Sequence, residues 1–242
     1  MYDLSRHTAV ITGASSGIGA AVARVFAQGG AKLILAARRG ERLKALADEL
    51  RLGADRVLLR PTDVTREDQV RELFAEAEAF SPITLLVANA GVAVHQPTTE
   101  VALADWQAVI DINLTAAFLC GREAFRLMQP RGRGRIINIG SLSATMPRPN
   151  TIAYTATKFA LEGLTHSLAL DGRPHGITAS IVHPGSTITE LAGQSEDREA
   201  SETTMAVRHV ADLVALTAAV PDEVNVLTST ILPIAQPYLG RG

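Results

Sequence analysis

The sequence predicts an α/β fold, a doubly wound parallel sheet of seven strands in a three-layer sandwich, and three observations carry that prediction. Short apolar, often β-branched runs alternate with helical stretches along the chain. A glycine-rich turn over residues 13–19 joins the first run to the first helix. Turns of small residues follow the strands rather than precede them, which puts a ligand site at the carboxyl edge of the sheet. An α/β barrel also fits 242 residues and also carries its site at that edge. The glycine turn after the first strand and an arginine after the second favour the open sheet.

Composition narrows the partners. The length suits one domain over residues 1–242, and the net charge of −2 with no long basic run does not suggest nucleic acid. The densest basic group, Arg131, Arg133 and Arg135, alternates with glycines. The one cysteine, Cys120, lies in an apolar helical stretch and reads as a small buried hydrophobe. The first residues are polar and run straight into a strand, and no apolar run approaches the roughly 20 residues of a membrane span. A cytoplasmic protein without membrane or metal partners is expected.

Residues 8–12 form the first expected strand, apolar enough to be buried on both faces. In the turn that follows, Gly13, Ser15, Ser16, Gly17, Ile18 and Gly19 open a helix whose free N–H groups suit a phosphate. The spacing is Gly-x-x-x-Gly-x-Gly, so a glycine turn with no ligand stays open. The second strand, residues 32–37, runs into Arg38 and Arg39 with no carboxylate at its end. An acidic residue there suits the ribose of NAD and an arginine the 2′-phosphate of NADP, so NADP(H) is favoured over NAD(H). A solvated helix start is the other reading, although cations there oppose the helix dipole.

Residues 56–60 and 84–88 form the third and fourth strands, with Thr62, Asp63 and Val64 after the one and Asn89, Ala90 and Gly91 after the other. A single long helix is expected over residues 103–128. Within it Asn113 is either a satisfied core amide or a point where the helix loosens to bind water. The fifth strand, residues 135–139, ends near Ser141, and a proline-rich loop leads to a helix bearing Tyr154 and Lys158. Their i, i+4 spacing puts phenol and ammonium on one face, where the cation would favour the phenolate. By itself, that pair is more simply an accident of helix spacing. A sixth strand over residues 177–182 ends at Pro184-Gly185. Residues 186–206 read as a mobile substrate segment, then come a helix over 207–220 and a last strand over 224–232.

Taken in order, these motifs resemble the short-chain dehydrogenase/reductase family from about residue 7 to the last strand. The turn at 12–19 matches that family's cofactor loop, Asn89-Ala90-Gly91 its stabilising turn and Pro184-Gly185 its nicotinamide-side turn. Asn113, Ser141, Tyr154 and Lys158 match its catalytic four, the serine thirteen positions before the tyrosine. The resemblance implies a Rossmann-type sheet and an oxidoreductase that moves hydride between NADP(H) and a carbonyl or alcohol. Tyr154 would exchange the proton, and Ser141 would bind the reacting oxygen. Lys158 would lower the tyrosine pKa and hold the nicotinamide ribose. Asn113 would hold a water linking Lys158 to solvent.

The resemblance also implies an adenine pocket at Asp63 and Val64, and cofactor contacts at Thr187 and Thr189. Two departures stand out: Ala88 where the family's turn has a first asparagine, and Thr187 where an aliphatic residue is common. The ending resembles bacterial β-hydroxy acid and serine dehydrogenases and related aldehyde reductases, with His95 and Arg148 bordering the substrate side. Arg148 suits a carboxylate or sulfonate, and solvated loop residues are the alternative for both. A homodimer or homotetramer through the helices near 103–128 and 153–170 is implied as well. A non-catalytic scaffold would be expected to lack Tyr154 or Lys158. An epimerase or dehydratase would need a larger region after Gly185.

Overall fold

The structure is a computed structural model that describes residues 2–189 and 203–237. Strand β1 (Thr8–Thr12), helix α1 (Gly17–Gln28), β2 (Lys32–Ala37), α2 (Gly40–Leu50), β3 (Val57–Pro61) and α3 (Glu67–Phe80) build one flank. The other flank holds β4 (Leu85–Ala88), α4 (Leu103–Ile110), α5 (Ala116–Met128), β5 (Gly134–Ile139), α6 (Ile152–Gly172), β6 (Ile177–Pro184), α7 (Val207–Ala219) and β7 (Thr228–Ile231). All seven strands are parallel, in the order β3-β2-β1-β4-β5-β6-β7. The order reverses between β1 and β4, and a crevice opens there at the carboxyl ends of the strands.

The five inner strands bury both faces, so their residues alternate between two cores. Ile11, Leu33, Leu35, Leu85 and Val87 join Val22 and Phe26 of α1 and Val210 and Val214 of α7. Val10, Ile34, Leu86 and Ile136 join Phe74 of α3 and Leu119, Cys120 and Ala124 of α5 on the opposite side. At roughly 25 cal/mol per Å² of apolar surface removed from water, these two layers dominate the stability. Cys120 is buried, and burial pushes its thiol up to about 12, in keeping with a packing role.

Several boundaries differ from the sequence reading, and three of the differences have a physical reason. The expected helix over 103–128 contains a π turn at Asp111–Thr115, between α4 and α5, where Asn113 turns inward. The last strand is shorter than 224–232. Arg135 donates to the carbonyls of Val220, Pro221 and Val224, and Asn225 Nδ2 donates to Ala179 O, so side chains replace the ladder there. Arg135 is accordingly buried rather than part of a basic surface group. Strand β3 reaches Pro61, which a sheet tolerates because β3 is an edge.

Candidate active site

At the crevice the main chain after β4 is pinned to the main chain after β1. Thr12 Oγ1 accepts from the N–H groups of Asn89 (3.0 Å) and Ala90 (3.2 Å). Asn89 Nδ2 donates to Thr12 O at 3.0 Å and to Gly13 O at 3.3 Å. The approach is close enough that a Cβ on Gly13 would lie 2.9 Å from Ala90 Cα, and one on Gly19 would lie 2.3 Å from Gly13 O. These two glycines therefore serve the packing of the turn on itself. Gly13 and Gly17 also hold the left-handed φ values of 65° and 56° that glycine favours.

A cavity of about 650 Å³ runs from this turn to Tyr154. Its first half is lined by Gly13, Ser15, Ser16, Gly17 and Ile18, by Arg38 and Arg39, by Asp63 and Val64, and by Asn89, Ala90 and Gly91. Gly19 does not line it. Arg39 Nη2 donates to the hydroxyls of Ser15 (3.0 Å) and Ser16 (2.9 Å), bringing a guanidinium over the start of α1. Burial works against the Asp63 carboxylate, but hydrogen bonds from Thr65 and the charges of Arg38 and Arg66 hold its pKa below the usual value. Arg38 and Arg39 line the cavity beside the first turn of a helix, and no acid stands at the end of β2. A dinucleotide carrying a 2′-phosphate thus suits the residues present.

The second half gathers Ser141, Tyr154, Lys158, Pro184, Gly185, Thr187 and Thr189, together with His95 and Arg148. Burial pushes the Tyr154 phenol above its usual value; a hydrogen bond with the Ser141 hydroxyl and the Arg148 charge pull it down without cancelling that effect. The expected depression by Lys158 is not seen in this structure. The Lys158 ammonium is itself buried, donates to Ile139 O at 2.8 Å, and lies 5.4 Å from the Tyr154 ring centre. Burial lowers its pKa to about 8.

Asn113 lies behind the cavity wall. Its Oδ1 accepts from Val92 N (2.8 Å), and its Nδ2 donates to Val92 O (2.9 Å) and Thr157 Oγ1 (3.2 Å). The amide is thus satisfied, as the first alternative for this residue has it, and the helix around it is widened. A second void of about 10 Å³, the room of one water, adjoins Asn113, Ile139 and Lys158. Thr157 was not legible as a site residue, nor was Ile139, which acts through its carbonyl. The signal available for Thr157 was its place next to Lys158.

At the mouth, Arg148 Nη2 donates to Ser186 Oγ at 3.0 Å, and Ser186 N donates to Gln236 Oε1 at 2.7 Å. Thr187 pairs with Met205, Ile188 N donates to Met205 O and Met205 N to Ser186 O, so the two described ends of the expected mobile segment are bonded to each other. Residues 190–202 of that segment lie outside the described residues. Thr187 Oγ1 donates back to Gly185 O at 2.9 Å.

Known proteins share this architecture. The family model described as short chain dehydrogenase matches residues 7–200. A cis-4-hydroxycyclohexanecarboxylate dehydrogenase from Sinomonas cyclohexanicum is 40% identical over 207 residues, covering 84% of this chain and 82% of that one. Sulfoacetaldehyde reductase 2 from Chromohalobacter salexigens is 36% identical over 240 residues, 95% of each chain. The closed form of a serine dehydrogenase complexed with NADP+ superposes with a TM-score of 0.86 at 28% identity, covering 97% of this chain and 98% of that one. With its seven-stranded parallel sheet, its glycine turn and this match, the chain belongs to the short-chain dehydrogenase/reductase family.

Proposed function

We propose that this protein is an NADP(H)-dependent oxidoreductase that interconverts a carbonyl and an alcohol on a small organic acid, such as a β-hydroxy acid or an acid-bearing aldehyde. The observation that carries the reading is the convergence of Ser141, Tyr154 and Lys158 at one end of a cavity whose other end presents Arg38 and Arg39. Residues 13 and 15–18, Asp63, Val64 and 89–91 would hold the adenosine and diphosphate half. Lys158, Pro184, Gly185, Thr187 and Thr189 would hold the nicotinamide half. When bound, the cofactor supplies or takes the hydride. Tyr154 gives its phenolic proton to the carbonyl oxygen in reduction and recovers it in oxidation. Its raised pKa keeps that proton in place at neutral pH.

Ser141 supports the developing oxyanion through its hydroxyl. Its Oγ already accepts from Ser143 N at 3.1 Å, which leaves the hydroxyl proton to donate. Lys158 shares its proton with a water in the void beside Asn113, refilling Tyr154 from solvent. An acidic substrate is supported by charge. At the catalytic end the lining brings Lys158 and Arg148, and no carboxylate among the described residues. Arg148 would take the acid group, with His95 beside the mouth as a second contact. Two of the relatives named above are a dehydrogenase of a hydroxycyclohexanecarboxylate and a reductase of a sulfonated aldehyde, which supports the same substrate class.

The test follows nicotinamide absorbance with NADPH and NADH against a panel of oxo acids, sulfonated aldehydes and neutral ketones. Turnover of acidic carbonyls with NADPH is expected. A protein that binds NADPH but turns over nothing would be the non-catalytic scaffold. Self-association belongs to the same proposal. Phe118, Phe159 and Leu170 stand 44%, 48% and 62% exposed on α5 and α6, an apolar face suited to a homodimer or homotetramer. Sedimentation as a monomer at micromolar concentration would remove that part.

A further inference from the structure

We propose that His183 is a positioning residue for Ser141, holding the serine main chain where its hydroxyl meets Tyr154; this rests on the oxidoreductase reading above. His183 lies near the end of β6, is 3% exposed, and enters space that only a glycine at position 140 leaves open. A Cβ on Gly140 would fall 2.5 Å from His183 Nδ1 and 2.8 Å from its Cε1. The imidazole therefore replaces the side chain that residue 140 lacks. Gly140 N donates to Val182 O at 2.7 Å, so the strand pairing carries the chain up to the serine. Beyond that point Ala144 N donates to Ser141 O at 3.0 Å, and the imidazole adds the hold from the side of β6.

Nδ1 lies 2.9 Å from Ser141 O and 3.2 Å from Ser141 N. One nitrogen cannot donate to the first and accept from the second at once. The shorter contact selects Nδ1–H donating to the carbonyl and leaves Nε2 as a bare acceptor. Nε2 is buried and meets no partner among the described residues, so the ring spends its hydrogen bonding on Ser141 alone. Burial keeps the imidazole pKa below its ordinary value, and the ring stays neutral at pH 7. A buried polar ring with one contact is a specific holding device rather than general packing.

Changing His183 to Leu keeps the volume and removes the donor. The serine should drift, and displacement of such a group by about 1 Å lowers turnover on the order of a hundredfold. The measurement compares kcat, KM and NADPH affinity for wild type, His183→Leu, His183→Asn and Gly140→Ala on one acidic carbonyl. We expect kcat down about tenfold to a hundredfold in His183→Leu with NADPH affinity unchanged. His183→Asn, whose amide can reach Ser141 O, should regain most of the loss. Gly140→Ala should repeat the loss by pushing the ring away.

Tyr154 gives a readout independent of turnover. The Ser141 hydrogen bond lowers the phenol pKa, so His183→Leu should raise the Tyr154 titration, read by ultraviolet difference against Tyr154→Phe. Wild-type kcat and an unmoved titration in His183→Leu, or no rescue by Asn, would overturn the proposal. If His183→Leu does not fold, unaltered kcat in Gly140→Ala does the same. A wild type that turns over nothing on the whole panel sinks the oxidoreductase reading and this proposal with it.

Discussion

The two halves of the cavity are built in different ways. The half proposed for the adenosine and diphosphate is made of strand ends and the turns directly after them, with residues 13, 15–18, 38–39, 63–64 and 89–91 brought together by the order of the sheet. The turns after β1 and β4 lie against each other there, joined by bonds of the Thr12 hydroxyl and the Asn89 amide to the neighbouring main chain. The half proposed for the substrate is assembled from loops distant in sequence, with Arg148, Ser186 and Gln236 linked side chain to side chain or side chain to backbone. A half built by the sheet tolerates few alternatives; a half built by loops can change its ligand without changing the fold.

The comparison breaks most sharply at the point where the halves meet. Tyr154→Phe removes the exchangeable proton and should lower kcat by about 10³ while NADPH binding, read by fluorescence, stays within about twofold. Comparable loss of both would mean that the phenol belongs to the cofactor half. On the cofactor side, Arg38→Asp should move the NADPH-to-NADH preference by about a hundredfold in kcat/KM, since a carboxylate there repels a phosphate and accepts from a ribose hydroxyl. An unchanged ratio would shift the assignment to Arg39, already bonded to Ser15 and Ser16.

Lys158 tests the boundary through stability. Its folded pKa of about 8 lies below the ordinary 10.5, so the unfolded chain binds the proton more tightly and the buried charge opposes folding at pH 7. Lys158→Met should therefore stabilise the ligand-free protein by about 2 kcal/mol while abolishing turnover, measured by urea unfolding. The gain should shrink as pH rises from about 8 towards 10.5, where the folded wild type loses its charge. The smallest effect belongs to the mouth. Arg148→Ala should raise KM about tenfold for an acidic substrate and leave a neutral one alone; equal effects on both would free Arg148 from any role in charge recognition.

How much the sequence revealed follows the same division. Strands such as residues 8–12 and 32–37 were legible to the residue because burial on both faces writes an unbroken apolar run. The glycine turn, Arg38, Asn89 and the Tyr154–Lys158 pair were legible because each lies at a fixed offset from a strand or within a helix. The π turn at Asn113 was only half legible, since a polar residue among apolar neighbours says that something gives way but not how. Thr157, Ile139 and Gln236 were hidden. Their partners lie far away in the chain or are main-chain atoms, and no local pattern encodes either. Asp63 and Val64 came from family resemblance rather than from spacing.

The clamp between Ser186 and Gln236 has a further meaning for the order in which a ribosome makes this chain. Domain elements begin to fold as they emerge. The half proposed for the adenosine and diphosphate has all its strands, β1 to β4, once residue 91 is out. Ser186 must wait for a partner synthesised fifty residues later. A nascent chain can therefore present the strands proposed to cradle the adenosine and diphosphate half well before it can hold Arg148 in place. Cofactor capture during synthesis would then template the sheet, and substrate recognition would arrive last.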